Sequence, residues 1–137
     1  MDRKTLMGLL REMDCPKDYE KFFRFAHNLI QQIRSSEKTH ALSDEQVKIR
    51  FFNTVKEIKK KMEISRSGVE LESIKNALGI TGKDKQAVCA WCEDILKLKL
   101  KAATATSEEL DYLMGMCARK CKVKSKGIGL YLTDMKH

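Results

Sequence analysis

Proline occurs once in the 137 residues and glycine seven times. That scarcity excludes a collagen-like chain and a Pro/Gly-rich low-complexity chain, and it leaves long stretches with nothing to break a helix. Aromatic residues make up 7%, with a single tryptophan. No apolar run approaches the roughly 18–20 residues that a bilayer crossing needs. The opening stretch, MDRKTLMGLLREMD, is interrupted by charges every few residues and lacks the continuous apolar core of a secretory signal. Asp2 and the non-CaaX C-terminus also argue against lipid anchoring. No membrane partner is therefore expected. The five cysteines are an odd number. With no export signal they predict a reducing compartment, cytoplasm or nucleus, and no disulfide framework. The LysLysLys run at 59–61 is too short to decide between the two.

What is present is apolar content of 42% and a formal charge of +8, from 27 basic and 19 acidic residues. That suffices for one buried core in a chain of single-domain length. The apolar residues recur at helical spacing, i, i+3, i+4, i+7. Leu6, Leu9, Leu10 and Met13 mark a helix over 2–14, which Cys15-Pro16 stops because the residue before proline is pushed out of the α region. Phe22, Phe25, Ala26, Leu29, Ile30 and Ile33 mark a second over 17–35. Val47, Phe51, Phe52, Val55, Ile58 and Met62 mark a third over 44–62, with the first two aromatics, Val55 and Ile58 at the centre of the core. Ile74, Ala77 and Leu78 suggest a fourth, ended by Gly79. A fifth over 84–101 would turn Val88, Cys89, Cys92, Ile95, Leu96 and Leu100 inward. The last would bury Leu110, Leu113, Met114, Cys117 and Cys121. Three starts carry the capping-box pattern, Ser43 to Gln46, Ser67 to Glu70 and Thr106 to Glu109, in which two side chains satisfy each other's backbone N–H groups.

The expected fold is all-α: one compact domain of five or six short helices in globular or orthogonal packing. The helical domain would cover residues 1–121. A basic, partly extended C-terminal extension would cover 122–137, packed on the domain or trailing from it.

The cysteines form a CxxC pair, Cys89 and Cys92, and a CxxxC pair, Cys117 and Cys121. Paired thiolates at short spacing are the usual signature of tetrahedral zinc. Both pairs lie inside helices on the apolar face, however, where a thiol behaves as a small hydrophobe. Buried thiols without metal are the expectation, and a zinc-stabilised regulatory domain the alternative. His27, His40 and His137 complete no catalytic constellation, and carboxylate pairs such as Glu93-Asp94 read as solvated faces. The Gly79 to Lys83 stretch lacks the spacing of a phosphate loop. Neither an enzyme nor a cofactor is expected.

The bases are more informative. Lys48, Lys56, Lys59, Lys60 and Lys61 cluster on the third helix. Arg119, Lys120, Lys122, Lys124 and Lys126 fall within eight positions with no acid among them. Clusters of this size attract phosphates by releasing counterions, without reading sequence. If the chain after Cys121 is extended, Lys122, Lys124 and Lys126 share one face. Residues 69–80, followed by a helix from 84, also show a helix–turn–helix rhythm that would present Lys83, Lys85, Gln86 and Lys97, although an ordinary corner between two helices explains it equally. Trp91 and Tyr131 would suit base stacking, but a lone tryptophan more simply fills a core. The functional expectation is a non-enzymatic nucleic-acid-binding protein, of ribonucleoprotein or regulatory type, for RNA or DNA. The alternative is a helical adaptor that binds another protein chain.

Overall fold

The computed structural model describes residues 2–13, 16, 19–35, 42–64, 76 and 85–124. Among them are five helices and no strand: α1 (Arg3–Glu12), α2 (Glu20–Ser35), α3 (Asp44–Ile64), α4 (Lys85–Lys101) and α5 (Ser107–Lys124). The expected helix around Ile74 and its Ser67 box lie outside the described residues, as does the proposed turn before α4.

Each start has a local cause. Asp2 accepts from the Thr5 N–H at 2.7 Å and caps α1. At α3 the Gln46 N–H donates to the Ser43 hydroxyl at 3.2 Å, and the Ser43 N–H donates to Gln46 Oε1 at 3.0 Å. Thr106 and Glu109 repeat the exchange at α5, at 2.9 and 3.1 Å. These are two of the three expected capping boxes. The start of α2 falls three residues later than expected, because the Tyr19 N–H is engaged in a tight turn with the Pro16 carbonyl at 2.9 Å.

α2 packs along α5, and α3 along α4; α1 lies against α5. Both long pairs are antiparallel. Arg34 meets Glu108 at 2.8 Å, while His27, two turns earlier on α2, meets Asp111 further along α5. Lys48 reaches the Ala103 carbonyl, while Lys59 reaches Glu93. Gly115 lies at the α2–α5 contact: a Cβ there would stand 3.4 Å from His27 Nδ1, at van der Waals distance.

One core runs through all five helices. The expected stripes of α1, α3 and α5 are buried in full. Trp91 is fully buried, with ring centroids 5.7 Å from Phe22 and 6.1 Å from Phe23, and Tyr19 packs on the same two phenylalanines. Trp91 is therefore a core residue and has no face for a base. On α4 the buried line is Val88, Trp91, Cys92, Ile95 and Leu98. Leu100, expected inward, is 85% exposed, because the true helical repeat carries the stripe to Leu98 and then Ala102.

The segment expected to be extended after Cys121 begins as helix: α5 continues through Lys124, with Val123 buried. Helical geometry sets residues two apart on different sides, so 122–124 do not form the alternating face of an extended strand. Residues 125–137, including Lys126 and Tyr131, lie outside the described residues.

Candidate nucleic-acid interface

The bases named from the sequence separate into three groups. Lys48 and Lys120 are buried. The Lys48 ammonium donates to the Ala103 carbonyl at 2.9 Å, just past the end of α4, and to Glu45 at 3.4 Å. Lys120 donates to the carbonyls of Leu10 at 2.8 Å, Arg11 at 3.4 Å and Met13 at 2.9 Å. These are carbonyls at helix ends, which have no partner inside the helix and which a cation satisfies in both charge and geometry. Both lysines are thereby removed from the set of phosphate contacts. Helical position was the available signal: Lys48 follows Val47 one turn before Phe51 and Phe52, and Lys120 sits between Cys117 and Cys121, both inside the apolar stripe.

The second group is engaged at the surface. Lys59 pairs with Glu63 at 3.3 Å and Glu93 at 3.5 Å. The hydrogen bond to Glu63 raises its pKa above the ordinary lysine value, and both carboxylates add to the effect. Lys61 is half-buried on the same helix.

The third group faces solvent: Lys56 and Lys60 on α3, Arg119 and Lys122 on α5. Three further lysines at the end of α4, outside those two clusters, join this group. Lys97, Lys99 and Lys101 are all exposed on α4; Lys97 and Lys101 line a cleft with Leu9, Glu12 and Met13 of α1, and helical geometry turns Lys99 to another side. Lys101 meets Glu12 of α1 at 3.0 Å, with both side chains about 60% exposed. A pair so open to water is weak and exchanges readily. The exposed bases are thus spread over α3, α4 and the end of α5. Lys85 opens α4, and Gln86 is exposed on its first turn.

The only large apolar side chains exposed among the described residues of α3 and α4 are Ile49, 50% exposed, and Leu100. Ile49 adjoins Lys48, and Leu100 lies one turn before Ala103. The Lys48–Ala103 contact therefore sets both at the same end of the helix pair.

The cysteines are thiols, with no disulfide among the four described. Cys92, Cys117 and Cys121 are buried and Cys89 half-buried. Burial pushes the Cys92 thiol from 9.0 up to about 12. Among the described residues no three His, Cys, Asp or Glu side chains come together as a metal site. The CxxC and CxxxC pairs do not converge into four zinc ligands. They face inward because their spacing is that of a helical stripe. His27 Nδ1 lies 2.6 Å from Asp111 Oδ1, out of line for a hydrogen bond to it, and 3.3 Å from the Asp111 carbonyl oxygen. Both residues serve the α2–α5 contact.

No helix among the described residues is long and apolar enough to cross a membrane. Compared with protein-family models, curated proteins and solved structures, the chain matches none.

Proposed function

We propose that this domain binds nucleic acid without catalysing a reaction on it, through phosphate contacts from exposed lysines of α3 and α4. The observation that supports this reading is the exposure of Lys97, Lys99 and Lys101 on α4 and of Lys56 and Lys60 on α3. Arg119 and Lys122 would add a second basic point at the end of α5. The ligand is RNA or DNA, met inside the cell, where thiols such as those of this chain stay reduced.

The test is an electrophoretic shift with RNA and DNA at two salt concentrations. Binding through several lysines weakens steeply as salt rises. Replacing Lys97, Lys99 and Lys101 with alanine lowers affinity for every sequence and flattens the salt slope by up to about three units. A slope unchanged in the triple variant, or no binding at all, overturns the proposal. Leu100 and Ile49 favour a second reading, a helical module that docks another protein. Its binding would barely respond to salt.

A further inference from the structure

We infer that the end of α1 is the centre of the nucleic-acid contact, where Arg11, Lys97 and Arg119, from three different helices, meet one stretch of phosphodiester backbone. This inference rests on the nucleic-acid reading and narrows it to one part of the basic surface. The three residues are far apart in sequence, and the packing of α1 gathers them. On one flank, Lys97 and Lys101 of α4 line the cleft against Leu9, Glu12 and Met13. Four positions apart, they lie on the same side of their helix, about 6 Å from each other along its axis. On the other flank, Lys120 of α5 holds the carbonyls of Leu10, Arg11 and Met13. The last turn of α1 is thus gripped from both sides by basic segments.

The neighbours of these contacts set the direction of the remaining bases, because successive helical residues turn by about 100°. Glu12 turns towards α4, where it meets Lys101. Of its two neighbours Met13 is buried and Arg11 exposed, so Arg11 stands on the outer side of α1. Lys120 turns towards α1. Of its two neighbours Cys121 is buried and Arg119 exposed, so Arg119 stands on the solvent side of the α1–α5 contact. Four bases, Arg11, Lys97, Lys101 and Arg119, here face two acids, Glu12 and the half-buried Asp94. Elsewhere acids answer the bases one for one or better: Glu20 pairs with Arg24, Glu108 with Arg34, and Glu63 and Glu93 with Lys59. An excess of cations drawn from several helices to one place suits a polyanion, and the two guanidinium groups match phosphate oxygens with forked hydrogen bonds. The Lys101–Glu12 pair costs little to open, because both groups are already largely in water.

The experiment is fluorescence anisotropy on the full chain with labelled RNA and DNA strands of about 20 nucleotides, over a range of salt. Two triple variants each remove three exposed positive charges. One carries Arg11→Ala, Lys97→Ala and Arg119→Ala, around the end of α1. The other carries Lys56→Ala, Lys60→Ala and Lys99→Ala, which lie away from it. The first should lose at least about tenfold in affinity and flatten the salt slope by about two to three units. The second should lose less than about threefold. Circular dichroism checks that both are folded. Should the first misfold, lysine acetylation of the parent protein with and without the strand decides alone. Bound strand should shield Lys97 and Lys101 and leave Lys56, Lys60 and Lys99 reactive, as peptide mass mapping would show. Equal losses in the two variants, a larger loss in the second, or an unshielded Lys97 overturns the inference while the nucleic-acid reading survives. Failure of the parent protein to bind either strand overturns both.

Discussion

The ammonium of Lys120 lies 2.8 Å from the carbonyl oxygen of Leu10, although 110 residues separate them along the chain. Through this bond and two neighbours the last described helix closes the open end of the first. Met13 has left helical geometry, at φ −66° and ψ 123°, so the last carbonyls of α1 would otherwise face the apolar core. A basic run that reads as a surface arm thus contributes one of its members to the interior.

Lys120→Met tests this role. Methionine keeps the volume and removes the donor, leaving buried carbonyls without their partner. The expected loss is about 2–3 kcal/mol in urea unfolding. Lys122→Met, at an exposed position one residue beyond Cys121, should stay within about 0.5 kcal/mol of the parent. In the oligonucleotide assay Lys120→Met should leave the salt slope unchanged.

Trp91 provides an internal reporter, being the sole tryptophan. Its full burial predicts blue-shifted emission that moves to the red in one step with unfolding. Trp91→Ala should cost about 3–5 kcal/mol, because the surrounding Phe22 and Phe23 rings cannot collapse fully into the space. Trp91→Phe should cost clearly less, since it also removes an indole N–H that finds no hydrogen-bond partner.

The two described glycines should respond differently to enlargement. A Cβ at Gly8 meets nothing within 4 Å, so Gly8→Ala should raise stability by about 0.5–1 kcal/mol through helix propensity alone. At Gly115 an alanine Cβ meets the His27 ring at ordinary contact distance and should be tolerated. Gly115→Leu should push α2 from α5 and cost about 1–3 kcal/mol or more. Thermal denaturation of the three variants checks the order.

The capping boxes predict an acid limb. Hydrogen bonds from Thr106 hold Glu109 below the usual carboxylate range, and those from Thr5 do the same for Asp2. A depressed folded pKa contributes stability that is complete above the unfolded value and lost as pH falls. Stability should therefore decline as pH drops below the unfolded values of 4.5 and 3.8. Glu109→Gln, which can still accept the Thr106 N–H, should make the decline shallower. Ser43→Ala should cost about 1 kcal/mol across the whole pH range, because its partner Gln46 does not titrate.

Cys92 predicts the alkaline limb. A thiol raised from 9.0 to about 12 by burial favours the folded state below pH 9, and that contribution fades as pH climbs from 9 towards 12. Alkylation of native protein at pH 8 should modify half-buried Cys89 and spare Cys92, as peptide mass mapping would show. The Cys92→Ser variant should lack part of the alkaline loss.

The sequence by itself determined the five described helices, three of their apolar faces and two caps. Each of these is settled within a turn or two: a capping box involves residues three apart, and the stripes of α1, α3 and α5 are written in side chains that repeat with the helix. The same locality explains the error at Leu100, where alternating Lys and Leu from 97 to 101 leave the register open until α4 packs against its neighbours. Only the tertiary structure decided which bases face water. Lys48 and Lys120 look like Lys56 and Lys122 in composition, but the carbonyls that capture them belong to Ala103 and to the end of α1, and those come within reach only when the helices pack. The same packing leaves Leu100 uncovered at the Ile49 end of α3, because contact between helices fixes which surfaces remain open to water.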